Sequence, residues 1–118
     1  MDESRPIFQQ IAEQIENDII SGALPEETQV PSTNEFAAFH RINPATAGKG
    51  VNVLVDAGIL YKKRGIGMFV AEGARARLVA SRRDQFTQQF VAPLLTEAAK
   101  LGITTAQLAD MITKQAKR

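Results

Sequence analysis

Apolar residues at Ile7, Phe8, Ile11, Ile15, Ile19 and Ile20 fall on one side of a helix, while Glu13, Glu16, Asn17 and Asp18 fall on the other. The spacing predicts a helix over Pro6–Ser21, closed by Gly22. A loop, Leu24–Thr28, follows, and Gln29–Val30 is long enough only for a very short strand. Ser32-Thr33-Asn34-Glu35 has the form of a capping box, in which the serine hydroxyl and the glutamate carboxylate satisfy each other's backbone amides. It predicts a second helix over Thr33–His40, with Phe36, Ala37 and Phe39 on its apolar side. Asn43 is a good N-cap and Pro44 suits a first helical position, so a third helix starts there, buries Ala47, Val51, Leu54 and Val55, and ends at Gly58. Gly48 and Gly50 inside it are unfavourable by about 1 kcal/mol each against alanine, which implies a close backbone approach, to DNA or to a neighbouring helix.

Ile59–Lys63 and Met68–Val70 are short β-like runs joined by Arg64-Gly65-Ile66-Gly67, a hairpin. After Glu72-Gly73 the pattern changes. Leu78, Arg82, Phe86, Phe90, Leu94, Ala98 and Leu101 recur every four or three residues along a long helix, which Pro93 should kink or break near Phe90–Ala92. Thr104-Thr105-Ala106-Gln107 is a second capping box, with Ile103 and Leu108 placed as a hydrophobic staple, and it opens a last helix over Thr105–Ala116. The expected fold class is mainly α with a small β-hairpin (α+β). Residues 1–71, three helices with helix-turn-helix spacing and a hairpin, are expected to form one domain, and residues 72–118 a C-terminal helical tail.

Composition narrows the chemistry. The chain has 118 residues, one histidine and no cysteine, so neither a histidine-based triad nor a His/Cys metal cluster can be assembled within it. His40 reads as a helix-terminus residue, and no catalytic group, metal or cofactor is expected. Gly65-Ile66-Gly67 lacks the spacing and the following helix of a phosphate loop. The amino terminus has no signal-peptide pattern and no apolar run is long enough to cross a membrane, so a soluble cytoplasmic protein is expected.

The net charge of +1 conceals an asymmetry: residues 1–60 carry three basic and nine acidic groups, residues 61–118 eleven basic and four acidic. A basic stripe beside an acidic body fits a nucleic-acid footprint, although a solvated surface gives the same count. The third helix begins with Asn43, Ala45, Thr46 and Lys49, small or polar groups suited to base edges, with Lys49 able to reach a phosphate or a guanine. Lys62-Lys63-Arg64 and Gly65 form a basic hairpin tip suited to a backbone or minor-groove contact.

In order and spacing, these segments resemble the GntR family of bacterial regulators over about residues 6–71. The likeness is carried by Pro6-Ile7-Phe8-Gln9-Gln10-Ile11, Ser21-Gly22, Val30-Pro31-Ser32-Thr33-Asn34-Glu35-Phe36-Ala37 and Ile42-Asn43-Pro44-Ala45-Thr46. Leu54-Val55-Asp56-Ala57-Gly58-Ile59-Leu60 and Arg64-Gly65-Ile66-Gly67-Met68-Phe69-Val70 complete it. The Asn-Pro-x-Thr start of the third helix and the short tail with Leu101-Gly102-Ile103-Thr104 are similar to the YtrA subfamily. The resemblance implies a winged helix-turn-helix DNA-binding domain over residues 1–71 with a two-helix dimerisation tail over residues 72–118, and a repressor on an inverted-repeat operator, often of nearby transporter genes. It also implies DNA contacts at Ser32 and Asn34, at Asn43, Ala45, Thr46 and Lys49, and at Arg64 and Gly65. Asn34 stands where the family usually has arginine, Glu26-Glu27 replaces the usual Pro-Gly, and Ala47 and Gly48 are smaller than usual, which implies altered base preference or weaker binding per half-site.

The tail must hide its apolar stripe. Phe86, Phe90, Leu94, Leu101, Leu108 and Ile112 exceed what two folded-back helices can cover, and burying each is worth about 1.5–3 kcal/mol. A second copy of the chain would bury them and set two recognition helices on one duplex. The alternative is a tail packed on its own winged domain. The rival functions are a winged-helix protein-interaction module and a nucleic-acid-binding protein without sequence specificity; no small-molecule effector can be named.

Overall fold

The structure, a computed structural model, describes residues 4–117. Along the chain it comprises α1 (Ile7–Ser21), α2 (Thr33–His40), α3 (Pro44–Asp56), β1 (Leu60–Lys63) and β2 (Gly67–Val70). These are followed by α4 (Ala74–Phe86), a π-helical turn (Thr87–Val91), α5 (Ala92–Lys100) and α6 (Thr105–Ala116). The elements form two compact units, one ending at Val79 and one beginning at Ala80.

Local hydrogen bonds decide most helix ends. Ser32 Oγ accepts from the Glu35 amide at 3.1 Å while a Glu35 carboxylate oxygen accepts from the Ser32 amide at 3.2 Å, the complete capping box expected of this segment. Thr104 and Gln107 repeat it before α6. Asn43 Oδ1 accepts from the Ala45 amide at 2.7 Å, and Pro44 occupies the first helical position of α3. Each such cap stabilises its helix by about 1 kcal/mol. Three helices close with paired backbone bonds of the Schellman type. Arg41 and Ile42 bond back to Ala38 and Ala37 after α2, Gly58 and Ile59 to Val55 and Leu54 after α3, and Gly102 and Ile103 to Ala99 and Ala98 after α5. The middle residue is left-handed each time; after α2 it is arginine, at φ 55°. A left-handed L-residue costs roughly 1–2 kcal/mol.

The core of the first unit gathers Ile11, Ile15 and Ile19 of α1, Phe36 and Ala37 of α2, and Ala47, Val51 and Leu54 of α3, with Ile59, Leu60 and Val70 of the hairpin. Both α1 and α2 pack on α3. Gly50 makes the first contact possible: a Cβ there would stand 2.7 Å from the Phe8 carbonyl oxygen and 3.0 Å from Ile11 Cγ2. Of the two partners the sequence allowed for that glycine, the structure therefore selects the neighbouring helix. Gly48 meets only Thr33 Cγ2, at an ordinary 3.5 Å.

Strands β1 and β2 pair antiparallel from Leu60 opposite Val70 to Lys63 opposite Gly67. The short Gln29–Val30 segment adds a rung: Gln29 bridges Phe69, and the Val30 amide donates to the Met68 carbonyl at 2.8 Å. The first unit also takes in the start of α4, beyond the pattern change at residue 72, because Ala74 and Leu78 are buried in its core. Leu78 thus serves this core, although its spacing matched the tail stripe. The Arg75 side chain donates to the Ile20 carbonyl at 2.9 Å and the Arg77 side chain to the Gly58 carbonyl at 2.7 Å.

In the second unit the helix does not break at Pro93. It widens into the π turn Thr87–Val91 just before the proline, and the Ala92 amide donates to Thr87, five residues back. A proline supplies no amide and its ring crowds the carbonyl four residues earlier; one wider turn accommodates both while the helix continues. Phe86, Phe90, Leu94, Leu101 and Ile112 are exposed on this unit, together with Leu95 and Met111. Leu108, expected both in a staple with Ile103 and on the dimer surface, is only 7% exposed and is buried within its own chain, so it does not join that exposed surface. It holds the N4 position of α6 and Ile103 the N′ position, the two ends of a hydrophobic staple, which explains its burial.

Candidate nucleic-acid interface

Helix α3 buries Ala47, Gly50, Val51 and Leu54 and therefore turns Ala45, Lys49 and Asn52 outward on one exposed side. Asn43 at its start is exposed and Thr46 half-buried. No large apolar group occupies the amino-terminal half of this side. Asn52 was not among the residues predicted, yet it lies three residues after Lys49 and seven after Ala45, so helical spacing alone would have picked it out. The Lys49 ammonium lies 4.2 Å from the centre of the Phe8 ring, a cation–π contact that ties it to α1.

Two of the expected contact residues already have structural work. Ser32 Oγ and Asn43 Oδ1 accept the amides that cap α2 and α3. Each keeps donor capacity, the serine O–H and the asparagine NH2, for a further partner. Asn34 is exposed on α2 and lies outside the capping bonds.

The hairpin tip supplies charge. Lys62, Lys63 and Arg64 are consecutive and exposed. The Lys63 ammonium stands 4.5 Å from the Phe69 ring centre. Gly65 turns the tip at φ 77°, a left-handed conformation suited to glycine, and no atom lies within 4 Å of where a side chain would start. Ser32 and Thr33, from the start of α2, line one open groove with Lys62–Met68. The structure thus brings Ser32, Arg64 and Gly65 to one surface. No carboxylate is among the described residues lining that groove. Cations on an open tip neutralise phosphates, and small polar groups at a helix start are able to meet base edges; together they match the division between positioning and reading contacts.

Comparison with known proteins gives the same answer. The family model for bacterial regulatory proteins of the gntR family matches residues 7–70. The HTH-type transcriptional repressor YtrA of Bacillus subtilis (strain 168) is 28% identical over 109 residues, covering 92% of this chain and 83% of that protein. The crystal structure of a putative transcriptional regulator of the GntR family from Bacteroides thetaiotaomicron superposes with a TM-score of 0.75 at 34% identity, over 95% of this chain and 97% of that one. The DNA-binding domain of AraR, crystallised in complex with operator ORR3, matches 54% of this chain and 77% of its own length, at 31% identity and a TM-score of 0.52. With its family segment lying entirely inside the winged unit, the chain belongs to the GntR family of DNA-binding transcription regulators.

Proposed function

We propose that the chain is a cytoplasmic homodimeric repressor of an inverted-repeat operator, with transporter genes among its targets. In this reading the start of α3, through Asn43, Ala45, Thr46 and Lys49, enters the major groove. Ser32 and Asn34 meet the flanking backbone, and Arg64 and Gly65 of the wing reach the phosphates or the adjoining minor groove. The observation that carries it is the coexistence of an exposed, small and polar amino-terminal side of α3 with the exposed cations of the wing.

The dimer rests on the tail. Phe86, Phe90, Leu94, Leu101 and Ile112 leave a surface that a second copy of the same surface would cover, Leu101 and Phe90 being 66% and 62% exposed. YtrA's designation as a repressor supports the direction of control.

Selection of bound fragments from the source genome tests the proposal. The expected product is a pair of half-sites in inverted orientation, about one helical turn apart or a multiple of it. Inverting one half-site should abolish tight binding. Recovery of fragments with no shared sequence would refute an operator-specific function.

A further inference from the structure

Residues 1–60 hold three cations against nine acids, so any cation there that meets DNA works against its surroundings. Two are engaged: Arg5 is ion-paired with Glu13 at 2.6 Å, and Lys49 lies over the Phe8 ring. The third, Arg41, is exposed, and its guanidinium has no partner among the described residues. Arg41 is also one of two described non-glycine residues with positive φ, at φ 55° and ψ 49°. It ends α2 and stands two residues before Asn43, the cap of α3. Glycine would satisfy the same backbone bonds without strain. Among the described residues, no ion pair or hydrogen bond of the arginine side chain offsets that strain. A strained residue without internal compensation points to a demand made by a ligand.

We infer that Arg41 is a DNA-phosphate contact, placed by its left-handed turn at the entrance to the recognition helix. Its guanidinium binds the backbone beside the groove that α3 enters, and supplies the positive charge that α2 itself, with no lysine or arginine, cannot. The inference rests on the DNA-binding reading of α3. It adds a residue to the interface and assigns it affinity without sequence preference.

The test uses the full chain and a duplex selected by the wild-type protein from a random-sequence pool. Arg41→Gly should melt at a higher temperature than wild type, because the strain is gone. The same variant should bind more weakly by a similar factor on every selected sequence. Its plot of log affinity against log salt should flatten by about one unit per chain. Arg41→Gln, which keeps length without charge, should show the same flattening, and Arg41→Lys should retain most of the wild-type slope. Wild-type affinity and slope in both Arg41→Gly and Arg41→Gln would overturn the role of Arg41 and leave the DNA reading intact. Failure of the wild type to select any duplex would overturn both.

Discussion

The Tyr61 hydroxyl, on β1, donates a short hydrogen bond to a carboxylate oxygen of Glu27, in the loop after α1. Glu27 is itself left-handed, at φ 65°, and its amide donates to the Val70 carbonyl on β2 at 2.8 Å. One residue therefore clips both strands of the wing. Its neighbour Glu26 accepts the Arg75 amide near the start of α4 at 3.3 Å. The Glu26-Glu27 pair, which in sequence is a departure from the family's usual residues, fastens the wing and α4 to the loop.

This bond gives a pH signature. Donation to Glu27, then desolvation and the carboxylate's charge, hold the Tyr61 phenol above its ordinary value of 10.0. The protonated phenol is thus favoured in the folded state. The contribution is fully present below the unfolded value and is lost as pH rises through the folded one. Tyr61 is the sole tyrosine and there is no tryptophan, so phenolate absorbance reports on it alone. Its titration midpoint should lie above that of free tyrosine, and Glu27→Gln should lower it. A wild-type midpoint at or below the free value would contradict the clip.

The two glycines of α3 should respond to alanine with opposite signs. Gly48→Ala meets only an ordinary contact and should gain up to about 1 kcal/mol of helix propensity. Gly50→Ala would press a methyl group on the Phe8 carbonyl and Ile11, a net loss of about 1–3 kcal/mol. At about 4–8 °C per kcal/mol for a domain of this size, thermal melts resolve both. Equal shifts would show that α1 does not approach α3 at Gly50.

Lys49→Ala and Arg64→Ala should weaken operator binding without unfolding the chain, Arg64→Ala shifting the melt little and Lys49→Ala by a few degrees. Arg64 is exposed, and the cation–π contact of Lys49 is worth about 0.5–1 kcal/mol at such a site. Joint loss of folding and binding would mean that these side chains support the fold rather than contact DNA.

The tail offers a second contrast. Phe90→Asp, at an exposed position, should yield monomers in sedimentation or light scattering while the winged unit keeps its melt. Leu108→Ala, at a buried position, should instead destabilise the second unit by about 2–5 kcal/mol. A dimer that survives Phe90→Asp would refute the shared apolar surface.

The order of helices and hairpin, the caps at Ser32, Asn43 and Thr104, and the exposed start of α3 follow from residues within a few positions of one another. Capping bonds and helical periodicity are short-range, so the amino-acid order alone determines them. Tertiary structure decided the rest. Gly50 is needed because of Phe8 and Ile11, some forty residues earlier, and Tyr61 meets Glu27 across 34 positions. Leu78 and Leu108 share the spacing of the tail stripe, but packing sends one into the winged core and buries the other within the chain. Periodicity tells which side of a helix is apolar; only the packed chain tells what covers it, because burial depends on contacts between segments that are distant in sequence.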